Sequence, residues 1–268
     1  NNKSVSKDNA ELEVELEVVA EIQETLKITL SELITGNEYK QAFKMKSGFN
    51  NFSFNISLTN PQLWWPHGHG DQILHHFFLT VETDNQLEKR ERKIGIRDVT
   101  IKRAADERGE SFEIYVNNMP IYSKGANWIP ADYFVERLQK EDYKRLLKDA
   151  IRANMNTLRI WGGGIYEPDH FYELCDEMGI MVWQDFMFAC SMYPADKNFL
   201  DSVKREASYQ LKRLKSHACI ILWCGNNEVA SGWLSWGWKE ELPGSIWEDY
   251  RKLFHKLLPK VCNELDPQ

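Results

Sequence analysis

Short segments in which apolar and polar residues alternate open the chain. Residues 11–18 alternate four glutamates with leucine and valine, and the same period of two recurs at residues 26–30 and 52–58. This alternation predicts half-buried strands, because successive side chains of a strand point to opposite faces of its sheet. Turn-forming pairs such as Gly-Asn and Asn-Pro separate the segments, and no helical pattern lies between them. Residues 1–97 are therefore predicted to form a small antiparallel β-sandwich.

The pattern changes after Arg97. Apolar residues then recur at helical spacing in segments that alternate with short apolar runs lacking any period of two. The predicted helices cover residues 141–151, 168–179 and 200–215, and the predicted strands cover residues 155–161, 180–184 and 219–224. Strands without alternation are buried on both faces, as in a parallel sheet covered by helices. Residues 98–268 are therefore predicted to form an α/β domain.

Polar clusters stand at the end of each strand of this second domain. They occupy residues 124–128, 159–162, 183–185 and 223–228. Barrel enzymes collect their chemistry at the C-terminal ends of several strands, whereas a doubly wound sheet gathers its ligand at one switch point. The pattern thus favours a (β/α)8 TIM barrel. A complete barrel takes roughly 200–250 residues, so we expect an incomplete barrel of about four strands.

Composition narrows the choice of partners. The 268 residues are 43% hydrophobic and carry a net charge of -7. An acidic chain without a basic stripe argues against nucleic acid, and no apolar run approaches the ~18 residues of a membrane span. The five cysteines form no Cys-x-x-Cys pair, and the four histidines within residues 67–76 predict an ordinary loop rather than a metal site. We expect no cofactor.

Glu228 is the strongest candidate for chemistry. It follows an apolar strand and two amides, Asn226 and Asn227. A carboxyl among apolar neighbours favours its protonated form, which a general acid needs near neutral pH. Two plainer roles compete with this one, because Glu228 would equally suit the cap of a following helix or a pair with a surface lysine.

Three further residues stand at strand ends. Asp185 either binds sugar hydroxyls or pairs with Arg159 inside the barrel, and the sequence favours neither. Trp161 precedes three glycines, where a ligand or another backbone segment can approach closely. These glycines lack the pattern of a phosphate-binding loop, so a nucleotide is not expected.

The motifs at these positions resemble the β-mannosidases of glycoside hydrolase family 2. The resemblance rests on KGANWIP at residues 124–130, NTLRIWGGG at 156–164, FYELCDEMG at 171–179, VWQDFMFAC at 182–190 and WCGNNE at 223–228. A further segment, NPQLWWP at residues 60–66, resembles the end of the family's immunoglobulin-like domain. The resemblance implies an immunoglobulin-like β-sandwich over residues 1–97, followed over residues 98–268 by an incomplete TIM barrel.

The same resemblance implies a retaining exo-glycosidase that removes terminal β-linked mannose. Glu228 matches the family's acid/base, and Asn227 matches the residue that binds the 2-hydroxyl of the sugar. Positions near the sugar pocket are matched by Trp161, Asp185, Cys190 and Trp236.

A retaining mechanism also requires a carboxylate nucleophile about 5–5.5 Å from the acid/base. No segment after Glu228 resembles the family's nucleophile strand, so the resemblance implies a truncated and inactive piece of the enzyme. Two alternatives stay open: another glycosidase of the family, acting on galactosides or glucuronides, or a non-catalytic carbohydrate-binding protein on the same fold. The sequence does not indicate a compartment.

Overall fold

Two antiparallel sheets face each other in the first part of the computed structural model, which describes residues 2–267. One sheet, ordered β1-β2-β5, contains β1 (Asn2–Val5), β2 (Asn9–Ala20) and β5 (Gly48–Thr59). The other, ordered β4-β3-β6-β7, contains β3 (Thr25–Glu32), β4 (Glu38–Lys44), β6 (His75–Glu82) and β7 (Leu87–Ile94). The three segments predicted as strands from their alternation lie within β2, β3 and β5, and that prediction is confirmed.

Burial of the alternating apolar residues holds the two sheets together. Leu12 and Ile56 of one sheet pack with Leu30 and Phe77 of the other in a shared core, and all four are at most 5% exposed. The glutamates between the apolar residues of β2 lie on the outer face, and Glu15 there pairs with Lys215 at 2.7 Å. The period of two therefore sets both the core and a polar surface on which a helix can rest.

A small antiparallel sheet connects the two parts of the chain. It contains β8 (Val99–Lys102), β11 (Glu113–Val116) and β12 (Met119–Ile121), while β9 (Ala105–Asp106) and β10 (Gly109–Glu110) form a separate hairpin.

Four parallel strands form the last sheet, in the order of the chain and without reversal. They are β13 (Gly125–Trp128), β14 (Thr157–Ile160), β15 (Met181–Asp185) and β16 (Ile220–Cys224). A short 3-10 helix (Val135–Arg137) and α1 (Lys140–Arg152), α2 (Asp169–Met178) and α3 (Lys197–Leu214) connect them. The chain continues through α4 (Val229–Ser235), α5 (Trp238–Glu241), α6 (Ser245–Tyr250), a π-helical segment (Arg251–Leu257) and α7 (Leu258–Leu265). No helix within residues 2–267 is long and apolar enough to cross a membrane.

Capping residues set the ends of the helices that carry this sheet. Gly179 ends α2 in the left-handed conformation at φ 73°, where a Cβ would lie 2.6 Å from the backbone nitrogen of His67. The carboxylate of Asp196 accepts hydrogen bonds from the backbone N–H groups of Asn198 and Phe199, so α3 begins at Lys197, before the predicted residue 200.

Trp64 and Arg97 join the sandwich to the parallel sheet. Trp64 is fully buried and donates from Nε1 to the carbonyl of Asp176 at 2.8 Å. The buried guanidinium of Arg97 donates to the carbonyls of Ala218 at 3.2 Å and Ile220 at 2.8 Å. Both contacts reach segments more than a hundred residues away, so the two parts of the chain pack as one body.

The histidine-rich region departs from the prediction of a loop. His75 and His76 lie on β6, and the side chain of His75 is fully buried. Its Nδ1 lies 3.1 Å from a carboxylate oxygen of Glu32, and its Nε2 lies 2.9 Å from the carbonyl of Gln62. The loop prediction was wrong for these two residues, because the partner of His75 is distant in sequence and leaves no local pattern.

Burial alone would raise the pKa of Glu32, but hydrogen bonds from Thr35, Ile34 and His75 hold it below its usual value. A carboxyl whose pKa is lowered on folding contributes stability above its unfolded pKa, and this contribution is lost as the pH falls through the folded pKa. We therefore expect Glu32→Gln to lower the free energy of unfolding at pH 7 by about 1–3 kcal/mol and by less at pH 4. Urea unfolding at the two pH values measures this difference.

Glu38→Gln is the matched control, because Glu38 pairs with Lys40 on the surface of the same sheet. We expect it to leave the free energy of unfolding nearly unchanged at both pH values, because solvent screens an exposed ion pair. Equal losses for the two variants at pH 7 would contradict a special role for Glu32.

Candidate active site

The C-terminal ends of the parallel strands bring four of the candidate residues together with Arg159. Arg159 lies on β14, Asp185 is the last residue of β15, and Cys190 follows β15 in a loop. Asn227 and Glu228 stand between β16 and α4. Because all the strands are parallel, these segments meet at one edge of the sheet.

An ion pair between Arg159 and Asp185 lies at the base of this site. Nε and Nη2 of Arg159 donate to the two carboxylate oxygens of Asp185 at 3.1 and 2.8 Å, and the backbone N–H of Gly162 donates to the same carboxylate at 3.0 Å. Burial lowers the pKa of Arg159, but the hydrogen bonds and charge of Asp185 outweigh it and raise that pKa. Arg159 is therefore a permanent cation that pairs with a fully buried carboxylate.

The amide of Asn227 takes its orientation from this ion pair. Its Oδ1 accepts a hydrogen bond from Nη2 of Arg159 at 3.0 Å, and its Nδ2 donates to Sγ of Cys190 at 3.4 Å. The backbone is fixed as well, because the N–H of Asn227 donates to the carbonyl of Phe188 and its own carbonyl accepts from the N–H of Cys190. Asn227 is 6% exposed, so its amide has little freedom to rotate.

Glu228 occupies the residue before α4 in a left-handed conformation, at φ 59°. Its side chain is exposed, so the expected enclosure by apolar neighbours is wrong for this chain. The two plainer roles are not observed within residues 2–267: its carboxylate makes no cap bond, and no lysine pairs with it. The cap comes from Asn226, whose Oδ1 accepts from the N–H of Val229 at 3.2 Å. The carboxylate lies 3.7 Å from Sγ of Cys190.

The two candidate tryptophans are not hydrogen-bonded to this group in the described part of the chain. The half-buried ring of Trp161 lies across Gly163, where a Cβ would come within 2.1 Å of it. Gly162 has equally little room, since a Cβ there would lie 2.6 Å from the carbonyl of Phe188. Gly162 and Gly163 thus make space for a neighbouring loop and for the ring of Trp161. Trp236 is 45% exposed and packs edge-on against Trp238.

Glu167 is a buried carboxyl beside the site that the sequence did not reveal. It accepts hydrogen bonds at 2.8 Å from Nε1 of Trp128 and from the hydroxyl of Tyr143, and burial raises its pKa. These partners stand far from Glu167 in the sequence, so no local motif marks it. It connects the end of β13 to α1 and to the loop that follows Trp161.

One cluster has the residue types of a metal site. Asp176, His217 and Cys219 place potential ligand atoms within 4.8 Å of one another. However, Nδ1 of His217 lies 2.6 Å from one oxygen of Asp176, and the other oxygen accepts from the N–H of Cys219 at 2.8 Å. These are hydrogen-bond distances, so an ion would have to displace bonds that are already made. The cluster precedes β16 and lies at the strand end away from Glu228.

The chain is similar to known glycosidases over both of its parts. Residues 2–97 match the family model for glycosyl hydrolases family 2. The β-mannosidase of Capra hircus is 46% identical over 211 residues, which cover 76% of this chain and 24% of that protein. β-Mannosidase B of Neosartorya fischeri is 38% identical over 220 residues, or 79% of this chain and 26% of that protein. The chain thus spans about a quarter of the length of the curated relatives that it matches.

A search of solved structures also finds a β-mannosidase. The crystal structure of a β-D-mannosidase from Dictyoglomus thermophilum superposes with a TM-score of 0.92 at 40% identity, over 99% of this chain and 33% of that one. A β-glucuronidase from Bacteroides uniformis, at 20% identity and a TM-score of 0.79, shares the fold alone. From the matched family model, the similar sequences and the similar fold, the chain belongs to glycosyl hydrolases family 2.

Proposed function

We propose that this chain carries the acid/base half of the active site of a retaining exo-β-mannosidase. The observation that carries the proposal is the position of Glu228, exposed at a strand end and next to the fixed amide of Asn227. The similarity to β-mannosidases over three quarters of the chain supports mannose as the sugar.

The fold supports this proposal. The four parallel strands follow one another in chain order with helices between them, which is the arrangement of the first half of a (β/α)8 barrel. We assign residues 1–97 to an immunoglobulin-like sandwich and residues 98–268 to the barrel domain. The chemistry then belongs at the C-terminal strand ends, where Asn227 and Glu228 lie.

The geometry allows each residue one role. Glu228 protonates the leaving oxygen and, as a carboxylate, later removes a proton from the attacking water. One hydrogen of the Asn227 amide points to Cys190, which leaves the other for the 2-hydroxyl of the sugar. Asp185 is fully buried and bonded to Arg159, so we assign it to positioning rather than to contact with sugar. Trp161 and Trp236 offer aromatic faces on which a sugar ring can pack.

The nucleophile is the part of the reaction that this chain does not supply. All four glutamates after Glu228 lie on helices rather than at the end of a strand: Glu240, Glu241, Glu248 and Glu264. None of these positions matches a strand-end carboxylate that would face the acid/base across a sugar. We therefore propose that the nucleophile lies outside residues 1–268.

The purified chain is expected to show no enzyme-like turnover of an aryl β-mannoside, because acid/base catalysis alone does not form the glycosyl-enzyme intermediate. Release of the aryl group, followed by absorbance, measures this. Turnover at a normal enzymatic rate would show that a nucleophile is present in the chain. The full-length protein, assayed on aryl β-mannoside, β-galactoside and β-glucuronide, is the control for substrate class, and preference for a sugar other than mannose would contradict the proposal.

In the full-length protein, Glu228→Gln is expected to slow cleavage of substrates with poor leaving groups by roughly 100-fold or more, and activated aryl mannosides far less. The reason is that only poor leaving groups need a proton in the transition state. Steady-state kcat/KM over a series of aryl mannosides measures the difference. Glu240→Gln, on the exposed helix α5, is the matched control with no expected effect. Equal losses across the series would remove Glu228 from the acid role.

Asp185→Ala leaves the guanidinium of Arg159 without its partner, and we expect it to lower the free energy of unfolding by about 3–5 kcal/mol. Asp201→Ala removes a surface ion pair with Lys197 and should leave the free energy of unfolding nearly unchanged. Urea unfolding of both variants makes the comparison. A loss below 1 kcal/mol for Asp185→Ala would mean that the buried pair does not support the site.

A further inference from the structure

Cys190 contacts both of the residues to which the proposed function assigns chemistry. Its Sγ accepts a hydrogen bond from Nδ2 of Asn227 at 3.4 Å and donates to the carboxylate of Glu228 at 3.7 Å. Of the five cysteines, Cys190 is the one that is exposed. The thiol therefore stands between the sugar-binding amide and the acid/base.

These contacts extend a chain of hydrogen bonds that all run in one direction. Arg159 donates to Oδ1 of Asn227, whose Nδ2 donates to Cys190, whose S–H donates to Glu228. The charged groups at its start are Arg159 and Asp185, which pair with each other. Hydrogen bonds aligned in series polarise one another, so the fixed guanidinium sets the direction of every later bond.

Backbone contacts hold Cys190 between Asn227 and Glu228. Cys190 and Glu228 both have left-handed conformations, at φ 48° and 59°, which cost free energy in residues other than glycine. A parallel bridge between Ala189 and Asn227 joins their two segments, and the N–H of Cys190 donates to the carbonyl of Asn227 at 3.0 Å. Strained residues that are tied to each other in this way are typical of functional sites.

We propose that Cys190 is a positioning residue that orients Glu228 and Asn227 through its thiol. The inference rests on the proposed function, since it assigns Cys190 a role through the acid/base. A thiol suits this role because the carboxyl of Glu228 must gain and lose a proton in each catalytic cycle. As a weak donor, S–H orients the carboxylate without strongly favouring its ionised form, whereas a hydroxyl would favour that form more.

The test compares Cys190→Ala and Cys190→Ser in the full-length protein, with an aryl β-mannoside that has a poor leaving group. Cys190→Ala is expected to lower kcat about 10-fold and change KM less than about 2-fold, because orientation is lost but binding is not. The loss should be smaller with an activated aryl β-mannoside, because that substrate does not need a proton from Glu228.

Cys190→Ser keeps a donor and should restore kcat to within about 3-fold of that of the unsubstituted protein. Rescue in Cys190→Ser but not in Cys190→Ala would support the positioning role, because general loss of structure does not depend on a donor at residue 190. Cys262→Ala, at a half-buried thiol on α7, is the matched control with unchanged kinetics.

Equal loss of kcat in Cys190→Ala and Cys190→Ser would overturn the inference, and so would unchanged kinetics in both. Glu228→Gln separates these failures from a failure of the proposed function. If it still slows poor leaving groups selectively, the acid role stands and only the role of Cys190 falls. If it has no such effect, both fall.

Discussion

The ion pair between Arg159 and Asp185 is the constraint on which the arrangement of the site depends. It links two neighbouring strands, and a backbone N–H of the glycine loop donates to the same carboxylate. Two bonds to Asp185 fix the plane of the guanidinium and so the direction of Nη2, which also donates to the amide oxygen of Asn227. The amide then has one orientation, because its oxygen faces the donor. An arginine on β14 thus fixes the geometry of residues that follow β16.

The sandwich contributes to this arrangement from a distance. Trp64 and Arg97 attach the end of the sandwich to the segments that lead into β15 and β16. Both side chains donate hydrogen bonds to backbone carbonyls of those segments. Salt bridges from α3 to the glutamates of β2 add a second contact between the two parts. The sandwich therefore forms a base against which the parallel strands pack. Separating these backbone carbonyls from their donors would destabilise the fold, because it would leave buried polar groups without hydrogen-bond partners.

The elements were predictable from the sequence, whereas several of the contacts were not. A period of two or of 3.6 residues depends on neighbours in sequence, so β2, β5 and α1 were evident from the pattern. The start of α3 was missed because the carboxylate of Asp196 caps it earlier than the apolar pattern begins. His75 was assigned to a loop because its partner, Glu32, is 43 residues away. The apolar enclosure of Glu228 was expected from adjacent residues, yet adjacency does not determine which way a left-handed residue points its side chain.

The left-handed backbone at Glu228 brings the stability of the fold and the proposed catalytic role into conflict at a single position. A glutamate in this conformation raises the free energy of the folded state by on the order of 1 kcal/mol, and glycine would not. Replacement of Glu228 by glycine would thus relieve this strain. Selection for stability alone would therefore favour replacement of this glutamate, and only selection for the proposed acid/base reaction would retain it. A library screened for folding would therefore accumulate glycine or asparagine here, so enrichment at residue 228 would reveal which of the two pressures had acted.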